Sequence, residues 1–216
     1  LCVLLAATPA SAQTHVFTFR GHKSGSSGER LGHALAGIGD IDKDGHADFI
    51  FGAPRCGTVF EGRVYVVSGN SGKIVRTIDG GESGAEFGSS VDGCEDVNGD
   101  GYPDYIIGSP CEYGELGEAL VVSGKTGGVI FSVFRDHPCG VPGKKCNIGN
   151  SVARAGDVDN DGRPDVIISA PGTNSGTTYG FVLVYALHPK TKLLYKLDGT
   201  KTFPMARVAT TITEDS

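Results

Sequence analysis

The sequence predicts an all-β protein built from repeated four-stranded antiparallel units. Of its 216 residues, 34 are Gly, a load that favours many tight turns. Short runs rich in β-branched residues are separated by Gly and Pro turns, which is typical of strands. No stretch keeps an apolar period of 3.6 residues, so we expect few helices. No apolar run approaches the 18 residues of a transmembrane helix, so we expect no membrane span in this chain.

The N-terminal segment has the pattern of an export signal. Residues 1–12 form an apolar run that ends on Ala10-Ser11-Ala12, which has the small-x-small form of a secretory cleavage site. We interpret residues 1–12 as the remnant of a signal peptide; a buried N-terminal strand is the alternative. Since the run has neither an initiating Met nor a basic segment before it, we expect the chain to be a fragment. Residues 13–27 are predicted to form a strand that takes part in ring closure.

The cysteines point to disulfides rather than to a metal. After removal of the signal, Cys56, Cys94, Cys111, Cys139 and Cys146 remain, and no two of them form a CxxC pair. This spacing argues against a zinc site, whereas export permits disulfide formation. The fourth and fifth cysteines flank a short Gly/Pro/Lys segment and could close a local loop. Because the count is odd, at least one thiol stays free or pairs outside the sequence.

An internal repeat determines the predicted architecture. Each copy has a hydrophobic-Gly dipeptide, an Asp-rich loop that starts at Asp40, Asp96 or Asp157, and a small-small-Pro tripeptide. A second shared block follows. After it come a turn and a further β-type run, at residues 73–78, 128–134 and 192–197, which gives about four strands per repeat. The predicted repeats are residues 28–83, 84–144 and 145–203, with the start of a truncated or degenerate fourth at 204–216.

A four-stranded unit of this length is the size of a propeller blade. A single four-stranded sheet would leave an apolar face open, so neighbouring sheets must stack against it. A β-sandwich does not ordinarily repeat its turn chemistry, and solenoid rungs are usually shorter. The sequence therefore predicts β-propeller blades. Since propellers close with four to eight blades, three complete repeats indicate part of a larger ring, and the alternative is a short protein with a degenerate fourth repeat.

The acidic loops predict bound calcium. Their pattern, Asp-x-Asp/Asn-x-Asp-Gly-x-x-Asp, directs oxygen atoms at positions 1, 3 and 5 toward one centre and frees the carbonyl at position 7. Eleven of the 25 acids lie in these 27 residues, and they would repel one another without a cation. The alternative is a set of solvated Asp-rich turns. We predict about three Ca²⁺ ions, one per loop. The candidate ligands, with carbonyls at His46, Tyr102 and Arg163, are Asp40, Asp42, Asp44, His46, Asp48, Asp96, Asn98, Asp100, Tyr102, Asp104, Asp157, Asp159, Asp161, Arg163 and Asp165.

These loops differ from an EF-hand, which needs a Glu at position 12 on a helix. Position 12 is Phe51, Ile107 or Ile168 here, each within a strand-like apolar run. We therefore predict that every loop connects two strands.

Other motifs give no support to catalysis. Gly124-Lys125-Thr126 resembles the end of a phosphate-binding loop, but Ala119 replaces the required Gly and no helix is predicted to follow. The six histidines are scattered, and no nucleophile-elbow motif is present. We therefore predict that the chain is not an enzyme and has no catalytic residues. A net charge of −6 argues against nucleic-acid binding.

The flanking motifs give a family resemblance. Phe87-Gly88 and Gly52-Ala53-Pro54, on either side of DxDxDGxxD loops, resemble the FG-GAP repeats of integrin alpha chains and of many secreted bacterial proteins. The resemblance covers nearly all of residues 28–200. Leu31-Gly32 and Ile148-Gly149 depart from Phe-Gly, but both changes keep the shape. The resemblance implies a propeller of about seven blades, with calcium in the hairpin between the first two strands of a blade.

From this resemblance we expect a calcium-stabilised extracellular module, without catalysis, for cell adhesion or for binding a protein or glycan. It would be secreted or held at the cell surface, or periplasmic in a bacterial source. The alternative is an accessory propeller segment of a secreted hydrolase such as a phospholipase D-like enzyme. The catalytic domain of that family needs a His/Asp-rich metal cluster, which this sequence does not supply.

Overall fold

The computed structural model describes residues 17–21, 23–24, 27–111, 116–133, 146–172, 180–188 and 190–198. These residues form strands and turns without a helix, as the Gly-rich sequence predicts. The strands are β1 (Lys23–Ser24), β2 (Ser27–Gly28), β3 (Leu35–Gly39), β4 (Asp48–Ala53), β5 (Arg63–Val67), β6 (Ile74–Asp79), β7 (Ser90–Glu95), β8 (Asp104–Ser109), β9 (Glu118–Val122), β10 (Val129–Val133), β11 (Ser151–Gly156), β12 (Asp165–Ala170), β13 (Phe181–Ala186) and β14 (Lys192–Asp198).

Twelve of these strands form three sheets of the same design. Blade 1 consists of β3 to β6, blade 2 of β7 to β10 and blade 3 of β11 to β14. In every blade the strands lie side by side in chain order and pair antiparallel. The all-β fold and the four-stranded blades predicted from the repeat are therefore confirmed. Among the described residues, no helix is long and apolar enough to span a bilayer.

The two central strands of each blade, the second and the third, are more deeply buried than the outer two. All six residues of β8 are buried, and Tyr105, Ile106 and Ile107 have no exposed surface. A strand covered on both faces is expected to be apolar throughout rather than alternating. The outermost strand of blade 1, β6, instead alternates between exposed and half-buried side chains over most of its length. Burial therefore falls from the centre of each sheet to its outer edge.

Neighbouring blades stack face to face through two apolar cores. Between blades 1 and 2, Ile50 and Val66 pack in one cluster with Tyr105 and Ile107. The cluster between blades 2 and 3 includes Ile106, Val121, Val166, Ile168 and Leu183. The innermost strands also meet, β3 against β7 and β7 against β11. This arrangement covers the apolar face that an isolated four-stranded sheet would expose.

Glycines at the joints between blades allow the backbones to approach closely. A Cβ added to Gly52 would lie 1.9 Å from the carbonyl oxygen of Gly88, which comes just before β7 of blade 2. One added to Gly108 would lie 2.0 Å from the carbonyl oxygen of Gly149 in blade 3. The tripeptide of one blade therefore meets the hydrophobic-Gly dipeptide of the next. This contact explains why the two motifs recur together in the sequence.

Phe19 lies against the face of blade 1 that points away from blade 2. The ring of Phe19 is 5.9 Å from that of Phe49 and 5.2 Å from that of Phe51, measured between centroids. Strands β1 and β2 pair with each other as a short antiparallel ladder. Residues 1–16 and 199–216 lie outside the described residues, so the signal remnant, the ring closure and the fourth repeat stay predictions.

The structure describes four of the six cysteines, Cys56, Cys94, Cys111 and Cys146. Cys56 and Cys94 are free thiols, and both are buried. Cys139 lies outside the described residues, so the predicted closure of a loop by Cys139 and Cys146 stays a prediction.

Candidate metal-binding loops

The three acidic loops occupy equivalent places in the three blades. Each connects the first strand of its blade to the second: β3 to β4, β7 to β8, and β11 to β12. Position 12 of each pattern, which is Phe51, Ile107 or Ile168, lies within the second strand. The prediction that these are inter-strand loops rather than EF-hands is therefore confirmed.

Side-chain oxygens at positions 1, 3 and 5 hold each loop in a tight turn. In the first loop, Asp40 accepts hydrogen bonds from the backbone N–H groups of Asp44 (3.1 Å) and Gly45 (3.0 Å). Asp42 accepts from the N–H of Asp44 (3.2 Å), and Asp44 accepts from that of His46 (2.9 Å). The same bonds recur in the second and third loops. These backbone hydrogen bonds order the side-chain oxygens of all three loops.

The aspartate at position 9 is buried in every loop. Asp48, Asp104 and Asp165 are each at most 1% exposed. One oxygen of each accepts a bond from the N–H at position 2 of its own loop, at 2.8, 3.1 and 2.7 Å respectively. The other oxygen of Asp48 accepts from the N–H of Gly69 (2.9 Å), and that of Asp104 from Gly124 (3.1 Å). These bonds tie the loop to the end of the third strand of the blade.

Burial makes the carboxyls of Asp104 and Asp165 resist ionisation. Burial raises the pKa of Asp104 to about 6, against two opposing backbone hydrogen bonds, and Asp100 and Asp96 raise it further. Burial likewise raises the pKa of Asp165 to about 6, with a smaller contribution from the other acids of its loop. Within the described part of the chain, neither carboxyl takes part in an ion pair. A cation in the loop would supply the missing positive charge.

Two of the loops bring three carboxylates to one point. One oxygen each from Asp40, Asp42 and Asp48 lie within 4.8 Å of one another. The same holds for Asp157, Asp159 and Asp165 in the third loop. Asp44 and Asp161 at position 5 lie outside these groups. In the second loop, where position 3 is Asn98, no three acidic groups converge as closely among the residues the structure describes.

The structure adds hydroxyl groups that the loop pattern alone does not reveal. Ser68 Oγ lies 3.2 Å from Asp44 Oδ2, and Ser123 Oγ lies 3.5 Å from Asp100 Oδ2. The sequence signal for these hydroxyls is the Ser-Gly pair that follows the third strand of blades 1 and 2. In blade 3 the strand pairing places Ala186 at this position. There His188 Nδ1 lies 3.9 Å from Asp161 Oδ2 instead.

The donor set of these loops suits a hard divalent cation. Its side-chain ligands are all oxygens, mostly carboxylates, and such oxygens are what calcium and magnesium prefer. The acidic clusters of the first and third loops could hold a metal ion as they stand. Coordination by the carbonyls of His46, Tyr102 and Arg163 stays a prediction.

Comparison with known proteins agrees with the repeat and its loops. A family model described as the FG-GAP repeat matches residues 31–67, 87–126 and 149–185. Integrin alpha pat-2 of Caenorhabditis elegans is 40% identical over 88 residues, which cover 37% of this chain and 7% of that protein. Phosphatidylinositol-glycan-specific phospholipase D of Homo sapiens is 32% identical over 188 residues, which cover 76% of this chain and 22% of that protein.

Among solved structures, the rhamnogalacturonan lyase PL11 of Bacillus licheniformis is similar to this chain with a TM-score of 0.48 and 16% sequence identity. That match covers 77% of this chain and 35% of the lyase. The chain spans less than a quarter of the length of the two curated relatives named above. Because the three matched segments together make up more than half of its residues, the chain belongs to the FG-GAP repeat family.

Proposed function

We propose that this chain is a calcium-stabilised extracellular propeller module that binds a protein or glycan and catalyses no reaction. The observation that supports this most strongly is the threefold recurrence of one acidic loop. Each copy orders its carboxylates by the same backbone bonds and buries a position-9 aspartate. If the loops were only solvated turns, we would not expect an aspartate to be buried in three successive blades, because burial of a carboxylate without a counter-charge is unfavourable.

Calcium fits these loops better than magnesium does. Ca²⁺ accepts six to eight oxygen ligands in flexible geometry, whereas Mg²⁺ demands a near-ideal octahedron and keeps several waters. A loop would hold its ion through side chains at positions 1, 3, 5 and 9 and the carbonyl at position 7. The bound ion would supply charge neutralisation. The residues of the loop would fix the hairpin between the first two strands of the blade.

The family and the export pattern support an extracellular location. Extracellular modules bind calcium with dissociation constants of about 10⁻⁴ to 10⁻³ M, and we propose that these loops bind in that range. The secretory pattern at Ala10-Ser11-Ala12 agrees with export. An integrin alpha chain among the relatives supports a role in adhesion or ligand binding. The ligand would contact loops, which are where binding residues concentrate.

Thermal unfolding of the purified chain tests the calcium part of the proposal. We expect circular dichroism to show a β spectrum and a melting temperature that rises with calcium. Each site should contribute about 2.7 kcal/mol when free calcium is a hundredfold above its dissociation constant. Magnesium at the same concentration is the control and should stabilise less. An unchanged melting temperature of a folded sample in calcium would contradict the proposal.

A second candidate is an accessory segment of a secreted hydrolase. It is favoured by the 188-residue match to a phosphatidylinositol-glycan-specific phospholipase D, which covers more of this chain than the integrin match does. The test is to incubate the calcium-loaded chain with vesicles that carry a phosphatidylinositol-glycan-anchored reporter protein. We expect no release above buffer. Release that depends on the chain would contradict the non-catalytic proposal. Binding of the chain to these vesicles without release, measured by sedimentation against vesicles that lack the anchored reporter, would support an accessory role.

A further inference from the structure

We propose that the three loops bind calcium unequally and that Arg163 makes the middle loop, residues 96–104, the weakest site. This inference rests on the proposed calcium function. It concerns which side chain sets the affinity of each loop. In the second and third loops, the side chain at position 7 lies against the loop of the preceding blade.

Arg163 illustrates this contact between loops. It occupies position 7 of the third loop, but its guanidinium lies at the second. Its Nη1 atom is 3.4 Å from the carbonyl oxygen of Asp96 and 3.4 Å from Asp96 Oδ2. Asp96 is position 1 of the second loop and a predicted calcium ligand. A positive charge at a ligand carboxylate repels a divalent cation and weakens its binding.

The second loop is shaped to receive this guanidinium. Gly99, with a φ of +79°, lies directly beneath it, and a Cβ added there would lie 2.6 Å from Arg163 Nη2. The corresponding position in the first loop is Lys43, and in the third it is Asn160, both at positive φ. Only the second loop therefore lacks a side chain at the place where the neighbouring cation lies.

Tyr102 provides the neutral counterpart of Arg163. It is position 7 of the second loop, and its ring lies 4.8 Å from the Nζ atom of Lys43 in the first loop. The side chain again reaches back to the preceding blade, but it brings no charge. Among the described ion pairs, none engages a carboxylate of the first loop, whereas Arg163 engages Asp96 of the second.

The second loop is also the least acidic. Asn98 replaces the aspartate that the other loops have at position 3, which leaves three carboxylates instead of four. The first and third loops each gather three carboxylates within 4.8 Å, and the second does not do so within the described residues. Fewer ligand charges lower calcium affinity. Without calcium, Arg163 acts as a partial counter-ion and links blades 2 and 3.

Calcium titration by isothermal calorimetry tests this inference on the full chain, after calcium is removed with a chelating resin. We expect two tighter sites and one weaker site, with dissociation constants at least about tenfold apart, which corresponds to 1.4 kcal/mol. Asp96→Asn removes a predicted ligand of the second loop. It should abolish the weak phase and so assign that phase to this loop. Arg163→Gln should tighten that phase about tenfold. Asn98→Asp should tighten it independently, and this variant leaves the contact between blades intact.

Two further variants complete the design. Tyr102→Arg should weaken one of the tight sites, because it places a cation at the first loop. Arg55→Gln is the matched control: Arg55 lies 3.8 Å from Glu86 at the other end of blade 1 and should leave all three affinities unchanged. Three equivalent sites, or a weak phase that both Arg163→Gln and Asn98→Asp leave unchanged, would overturn the inference while leaving the calcium proposal intact. No calcium binding at all would overturn both.

Discussion

The buried loop carboxyls should give the calcium-free protein an unusual dependence on pH. The pKa of Asp104 and of Asp165 is about 6 in the folded chain and close to 3.8 in the unfolded chain. Between these values the folded state binds more protons than the unfolded state. The free energy of unfolding must then fall as pH rises through this window. Most proteins with paired carboxylates show the opposite slope.

The expected effect is large enough to measure. Between pH 4.5 and 7, a carboxyl with these two pKa values changes the free energy of unfolding by about 2 kcal/mol. The two carboxyls together should therefore destabilise the calcium-free protein by about 4 kcal/mol as pH rises. Calcium reverses this trend, because it binds the ionised carboxylates. The stabilisation by calcium should grow over the same pH range.

Urea denaturation of calcium-depleted and calcium-saturated protein at several pH values is the appropriate assay. Asp104→Asn should remove about half of the pH dependence in the calcium-depleted protein. Asp79→Asn is the control. Asp79 lies in β6, outside the loops, so this variant should keep the full pH dependence. The reasoning is refuted if the calcium-free protein becomes more stable between pH 4.5 and 7. An Asp104→Asn variant with the dependence of the parent would refute it equally.

Two further predictions concern the joints between blades. Arg76→Met should lower the free energy of unfolding, measured by urea denaturation, by about 1 to 3 kcal/mol. The reason is that Arg76 Nη1 donates to the hydroxyl of Tyr105 in blade 2 at 3.0 Å, and this tyrosine is fully buried. The loss should shrink in a Tyr105→Phe background, and an equal loss there would contradict a coupled pair. Gly52→Ala should cost about 3 kcal/mol by the same assay, because its Cβ would meet the carbonyl oxygen of Gly88. Gly37→Ala, in open space in the same blade, is its control and should change stability by less than about 0.5 kcal/mol.

The repeat made the fold predictable from the sequence. Turn residues recur at fixed offsets in the three repeats, so the strands and turns predicted for one repeat support those predicted for the other two. The predicted fourth strands, at residues 73–78, 128–134 and 192–197, differ from β6, β10 and β14 by one residue at most at either end. The hydrophobic-Gly and small-small-Pro motifs were visible, but the backbone contact between Gly52 and Gly88 that explains them required the structure.

The loops were predictable in outline and less so in their environment. Alternating oxygens and a Gly at position 6 specify a tight turn locally, so the sequence was sufficient to locate it. Burial of Asp104 depends on stacking of blades, which a single loop does not encode. The contact of Arg163 with Asp96 joins residues 67 positions apart and depends on the rotation between blades. The positive φ of Glu95, where the other repeats have Gly, was likewise not evident from the sequence.

The central claim is that each of the three acidic loops holds one calcium ion. A crystal structure of the calcium-saturated protein, with an anomalous difference map recorded at long wavelength, tests it most directly. We expect one peak in each loop, about 2.3 to 2.6 Å from the side-chain oxygens at positions 1, 3, 5 and 9 and the carbonyl oxygen at position 7. The peak beside Asp96 should be the weakest at limiting calcium. Loops without peaks in crystals grown at saturating calcium would contradict the claim.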